Sequence, residues 1–216
     1  MFYYENKARK QGAHFVIGVD EAGCGPLAGP VVAAAVLLTK KHFRNRIDDS
    51  KKLTSRMRES AFEEILDNSI VGVGIISEAG VDAVNVLKAS HLAMERAIKG
   101  VFSKLRKHTK KNNRFSLKRT CILIDGRDIS FHLPCKYTAI VNGDAKSISI
   151  ACASIVAKVT RDRIMNIYDR IYPHYGFAVH KGYGTRRHKE AISNHGPSMI
   201  HRKTFHPVRC LEHAKH

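Results

Sequence analysis

The chain has 216 residues, 44% of them hydrophobic and 26% charged, which suffices for a buried core and excludes disorder as the main state. Its 37 Lys and Arg against 19 Asp and Glu give a net charge of +18, pointing to a polyanionic partner, most commonly nucleic acid. The longest apolar run, Val31 to Leu38, has eight residues, too few for a membrane span, and the polar start Met1 to His14 lacks a secretory signal's apolar stretch. Cys24, Cys121, Cys135, Cys152 and Cys210 form an odd set without a C-x-x-C pair. They predict a reducing, cytoplasmic setting with neither a disulfide framework nor a zinc site.

In chain order, Phe15 to Val19 predicts a strand that stops at Asp20-Glu21. The Gly/Pro-rich turn Ala22 to Pro30 leads into a second strand, Val31 to Leu38, and the short connection predicts a hairpin. Thr54 or Ser55 caps a helix in which Met57, Ala61, Phe62, Ile65 and Leu66 share a face. Ile70 to Ile76, with Gly72 and Gly74 alternating, predicts a strand packed closely on its neighbours. Residues 79–107 predict helix, with Leu87, His91, Met94 and Ile98 on one face. Lys104 to Arg119 holds eight Lys and Arg and no acid, and predicts a solvated basic loop. Two short strands follow, Cys121 to Ile124 before Asp125-Gly126 and Tyr137 to Val141 before Gly143-Asp144. A long helix from Ile148 to about Asp169 and another near Thr185 to Asn194 complete the elements. They predict an α/β layer about one core, roughly residues 14–172, with a basic C-terminal part, roughly 173–216, laid over it.

Asp20-Glu21, Asp125 and Asp144 all sit where an apolar strand stops. Strand ends of such a sheet open onto a common edge, so carboxylates distant in sequence can converge there. Gathered carboxylates repel one another unless cations neutralise them, and hard divalent cations take oxygen ligands. Two such ions roughly 3.5–4 Å apart clamp the attacking and leaving oxygens of a phosphodiester. Acidic strand ends in a basic chain thus point to a metal-dependent nuclease. Taken singly, Asp125-Gly126 and Gly143-Asp144 each read more readily as ordinary turns, and their joint occurrence with Asp20-Glu21 shifts the balance.

The loop from Gly23 to Ala28 has the form G-x-G-x-x-A, but a strand follows it where a dinucleotide fold requires a helix. What its glycines offer is close backbone approach to a ligand. The histidines His174, His180, His188, His195, His201 and His206 fit no zinc spacing and predict structural or solvent roles.

The stretch Gly18 to Pro30, GVDEAGCGPLAGP, resembles the opening signature of bacterial ribonuclease HII. Further stretches agree in order: Asp49 to Thr54, Leu123 to Gly126, Gly143 to Ser147, Ala153 to Lys158 and His180 to Thr185. The resemblance implies a ribonuclease H-like fold: a mixed five-stranded sheet flanked by helices, with a helical C-terminal extension. It implies an endonuclease that cuts the RNA strand of RNA–DNA hybrids, and cuts 5′ of single ribonucleotides in duplex DNA, leaving 3′-OH and 5′-phosphate ends. Asp20, Glu21, Asp125 and Asp144 would be the catalytic carboxylates, holding Mg²⁺ or Mn²⁺. Asp162 competes for the fourth place, but its setting between Arg161 and Arg163 fits an ion pair better. Gly23, Cys24 and Gly25 would grip the ribonucleotide's 2′-OH through main-chain groups, although the family's usual middle residue is Arg. Tyr183 would stack on the next sugar, and Lys51, Lys52, Lys146 and Lys181 would contact phosphates. A single-domain, cytoplasmic monomer is expected. The rival readings are a non-catalytic basic nucleic-acid-binding protein, which leaves the strand-end acids unexplained, and a resolvase of the same fold.

Overall fold

Strands β1 (Phe15–Ala22), β2 (Val31–Leu38), β3 (Ser69–Ile76), β4 (Thr120–Asp125) and β5 (Lys136–Ile140) form one mixed sheet. Its spatial order is β3-β2-β1-β4-β5, in a computed structural model that describes residues 1–109, 115–127 and 134–213. β1, β2 and β3 make an antiparallel meander, while β4 and β5 run parallel to β1. The three parallel strands therefore end on the same edge. The β1–β4 pairing stops at Val19 opposite Ile124, so Asp20 and Asp125 each come one residue beyond it.

Helix α4 (Val86–Thr109) covers one face of the sheet, burying Ala93, Met94, Ala97, Ile98 and Val101 against Ile17, Val19, Ala33, Ile122 and Ile124. Gly72 and Gly74 of β3 permit that contact. A Cβ on either would lie 2.1 Å from the Ala97 carbonyl oxygen or 1.9 Å from that of Ala93. The other face is covered by α2 (Ser55–Asp67) and α5 (Ile148–Ile171), through Phe62, Ile65, Ile155 and Val156. Thr54 caps α2 and Ser147 caps α5, each hydroxyl accepting from a backbone N–H three residues on.

The expected helix over 79–107 is two, α3 (Glu78–Val84) and α4, broken at Asn85 with φ +69°. The Asn85 side chain accepts from the Lys88 amide, so an Asx cap starts a new helix where apolar periodicity alone ran on. Leu87 is consequently exposed, whereas Met94 and Ile98 of the expected face are buried, together with Ala89, Ala93 and Ala97. The expected basic loop from Lys104 is helical as far as Thr109, because Leu105 is buried. Its middle, 110–114, lies outside the described residues.

The polar lead-in forms a helix, α1 (Tyr3–Lys10), and buries Glu5. That carboxylate accepts from the Ser147 hydroxyl at 2.5 Å and from the Ser149 amide at 3.0 Å, at the N-terminus of α5. The C-terminal part carries α6 (Phe177–His180), α7 (Arg186–His195) and α8 (Val208–His213). It has its own apolar cluster of Tyr175, Phe177, Ile192, Ile200 and Val208, which closes over Leu27, Ala28 and Met165. The loop between β1 and β2 is thus gripped from beneath by the last third of the chain. Among the described residues no helix is long and apolar enough to cross a membrane.

Candidate active site

Asp20, Asp125 and Asp144 each offer an oxygen such that the three atoms lie within 4.8 Å of one another. β1 and β4 deliver the first two. Asp144 sits four residues beyond β5, in the 3₁₀ turn Gly143–Ala145 between β5 and α5, and not at a strand terminus as expected. The Gly143 amide donates to Asp125 Oδ1 at 2.6 Å, which ties that turn to the end of β4. Glu21 stands beside the cluster on β1 and feels the charge of Asp125.

Asp20 and Asp144 are acids kept from water, and Glu21 and Asp125 are half-buried beside them. Burial, then the charges of Glu21 and Asp125, push the Asp20 carboxyl well above its ordinary range, against donation from Ser154 and the Glu21 amide. Burial, Asp125 and Asp49 raise Asp144 in the same way, and burial raises Glu21. Among the described residues the nearby cation is Lys51, whose Nζ lies 3.6 Å from Asp144 Oδ2 on a side chain 81% exposed. Burial pulls that ammonium down, but Asp144, Asp49, Asp20 and Asp125 outweigh it and hold the group above its usual value. A cluster of buried and half-buried carboxylate oxygens with an exposed ammonium at its rim fits hard divalent cations.

The other predicted lysines are turned to partners of their own. Lys52 faces Asp48 at 3.7 Å, Lys146 donates to the Val141 carbonyl, and Lys181 donates to Asn166 and to the Ala178 carbonyl. Asp162 is outside the cluster, paired with Lys158 at 2.7 Å and Arg58 at 3.8 Å in place of its flanking arginines.

The loop after Glu21 presents main chain. Gly23 has φ +99°, and a Cβ there would meet Arg161 Nε at 2.2 Å. The Cys24 side chain turns inward, donating to Glu21 Oε1 at 3.5 Å, and burial pushes its thiol up to about 12. Above Gly25 the space is open except for the ring of Tyr183, whose Cε1 would be 3.8 Å from an added Cβ. Tyr183 is itself half-exposed. The loop and the aromatic ring expected to read the sugar are therefore neighbours.

Sequence reasoning missed the parts that hold this loop. Arg161 and Arg202 are buried, and both donate only to backbone carbonyls of the loop and its surroundings. An arginine in a basic chain reads as surface charge, so nothing in composition or spacing marked them. Three histidines close the other side. His201 stands 3.0 Å from His188, whose Nδ1 donates to the Tyr183 carbonyl, and His180 stacks on His188 at 4.3 Å. Burial lowers His188 to about 4 and His201 to about 3, so they are neutral core groups, as the absence of zinc spacing led one to expect. The five cysteines are free.

A family model described as ribonuclease HII matches residues 17–208. A ribonuclease HII of Sinorhizobium fredii is 49% identical over 208 residues, covering 96% of this chain and 84% of that protein. One from Acholeplasma laidlawii is 48% identical over 209 residues, covering 96% and 95%. Among solved structures, the ribonuclease H2 of Pyrococcus horikoshii superposes with TM-score 0.67 at 26% identity, covering 93% of this chain and 98% of that one. The mixed sheet with its flanking helices is thus an instance of a known scaffold, and the chain belongs to the ribonuclease HII family of metal-dependent ribonucleases H.

Proposed function

We propose that this chain is an endonuclease that cuts the RNA strand of RNA–DNA hybrids and cuts 5′ of single ribonucleotides embedded in duplex DNA. The products carry 3′-OH and 5′-phosphate ends. The observation that carries the reading is the meeting of Asp20, Asp125 and Asp144 oxygens within 4.8 Å, in a chain of net charge +18. With Glu21 they would hold Mg²⁺ or Mn²⁺, in the cytoplasm. Bound there, the cation supplies charge neutralisation at the scissile phosphate and acidifies the attacking water.

The chain's own residues do the rest. The four carboxylates come from one copy, which supports a monomer acting alone, with residues 1–216 as one catalytic domain. Main-chain groups of Gly23, Cys24 and Gly25 meet the 2′-OH, so the cysteine in the middle position does not remove the contact. The Tyr183 ring, beside Gly25, lies flat against the following sugar. Lys51 faces the phosphate nearest the carboxylates, and Lys52, Lys146 and Lys181 hold more distant phosphates after leaving their present partners.

The test compares three labelled duplexes in Mg²⁺: one embedded ribonucleotide, a long hybrid, and all DNA. Cutting of the first two and sparing of the third is expected. Asp125→Asn should nearly abolish cutting with binding retained. Full activity in that variant, or equal cutting of all-DNA duplex, would refute the assignment.

A further inference from the structure

Arg202 lies 178 residues beyond Cys24, yet its guanidinium is fully buried beneath the β1–β2 loop. It donates to the carbonyls of Gly23 at 2.6 Å, Cys24 at 3.0 Å and Gly29 at 2.7 and 3.0 Å, and forms no ion pair among the described residues. Burying a charge without a carboxylate partner is costly, so these hydrogen bonds must fix something a neutral side chain would not.

The peptide geometry shows what is fixed. In a trans peptide the C=O and the following N–H point to opposite edges of one plane. Holding the Gly23 and Cys24 carbonyls from beneath therefore sends the amides of Cys24 and Gly25 the other way. Among the described residues neither amide donates a hydrogen bond. The Cys24 side chain is turned aside to Glu21, and Gly25 is exposed, a Cβ added there meeting only the Tyr183 ring within 4 Å. A cation on the carbonyl end also polarises each peptide and strengthens its N–H as a donor.

We propose that Arg202 is a positioning residue for ribonucleotide recognition, holding the peptides of Gly23 and Cys24 so that the Cys24 and Gly25 amides stand free to receive the 2′-oxygen. The inference rests on the reading of this loop as the sugar contact. It adds a partner from the opposite end of the chain whose effect falls on discrimination between ribose and deoxyribose, not on cation capture.

The test uses the full chain with Ca²⁺ replacing Mg²⁺ so that substrate stays whole. Affinity is measured for a duplex with one embedded ribonucleotide and for the same duplex in all DNA. In Arg202→Gln the preference for the ribonucleotide duplex should fall about tenfold, the scale of one good hydrogen bond, with Arg202→Lys in between. All-DNA affinity and Mn²⁺ affinity by calorimetry should stay near wild type. A folded Arg202→Gln that keeps the wild-type preference overturns the proposal, as does a parallel loss on both duplexes, which marks a packing residue. Should the variants not fold, amide exchange on the wild type decides. The Cys24 and Gly25 amides should exchange freely in the free protein and be protected by the ribonucleotide duplex alone, and protection in the free protein overturns the proposal. A wild type without any ribonucleotide preference sinks the loop reading itself, whereas a preference that survives in the variants sinks only the role of Arg202.

Discussion

The acidic edge and the loop that follows it in sequence hold buried charge under opposite arrangements. At the edge, Asp20 and Asp144 are 5% exposed and repel Glu21 and Asp125, with Lys51 reaching in from solvent. In the loop, Arg161 and Arg202 are 1% and 0% exposed, and every guanidinium nitrogen of each donates to a carbonyl oxygen of its own chain. The low dielectric is common to both. The loop answers its buried cations with internal dipoles, whereas the edge awaits charge from outside. Neutralising a side chain should therefore have opposite consequences for stability in the two places.

The sharpest break concerns chemistry. Asp144→Asn should lower cleavage of a ribonucleotide-containing duplex by at least about a thousandfold, several kcal/mol of lost charge stabilisation. Single-turnover cleavage in Mg²⁺ reads it, and a loss under tenfold would remove Asp144 from the site. Next in size, Arg161→Leu should destabilise the fold by about 3 kcal/mol, because the carbonyls of Ala28, Pro30 and Lys181 lose their donor without gaining water. Urea unfolding measures this, and a neutral or stabilising result would mean that the loop does not depend on its buried cations.

The edge should respond to cation and to proton in the reverse sense. At a hundredfold excess over its Kd, Mn²⁺ should stabilise the wild type by about 2.7 kcal/mol, and it should do far less for Asp125→Asn. The sign for protons follows from the raised Asp20 and Asp144 carboxyls. A folded-state pKa above the unfolded one adds stability below the ordinary carboxylate range, and that stability is lost as pH rises through the raised value. With chelator present, melting temperature should thus fall from mildly acidic to neutral pH. Asp20→Asn should flatten that fall and gain about 1 kcal/mol at neutral pH. A chelated Asp20→Asn less stable than wild type would show that the carboxylates are not in conflict.

How legible each region was in the sequence follows the same division. Asp20, Glu21 and Asp125 could be placed because strands announce themselves by apolar runs whose polar end points to the sheet edge, although β1 does not stop at Asp20 and Glu21 but runs on to Ala22, paired with β2. Asp144 was found by the same pattern although a 3₁₀ turn, not the strand, holds it. The β1–β2 hairpin and the close approach of Gly72 and Gly74 to α4 were likewise local. The break at Asn85 escaped because a capping side chain overrides periodicity, and α1 escaped because its helix buries a carboxylate, Glu5, against α5. Arg161 and Arg202 were illegible for a stronger reason. Their partners are carbonyls, which every residue carries, so no residue type could signal the contact.

The smallest expected effect tests whether Lys51 is part of the edge's electrostatics or merely near it. Its ammonium is 3.6 Å from Asp144 on a largely exposed side chain, so the pair is of the weak, screened kind. Removing it leaves Asp144 facing Asp125 and Asp49 without that counter-charge, which raises the carboxyl further. Protons then compete better with the cation, so the acid limb of the pH–rate profile in Lys51→Ala should move toward higher pH. At neutral pH the loss should be less than about tenfold, and it should shrink as salt screens the wild-type pair. A profile that falls uniformly at all pH values would instead place Lys51 on the substrate's phosphate. An unchanged profile would leave the acidic edge with no internal counter-charge at all.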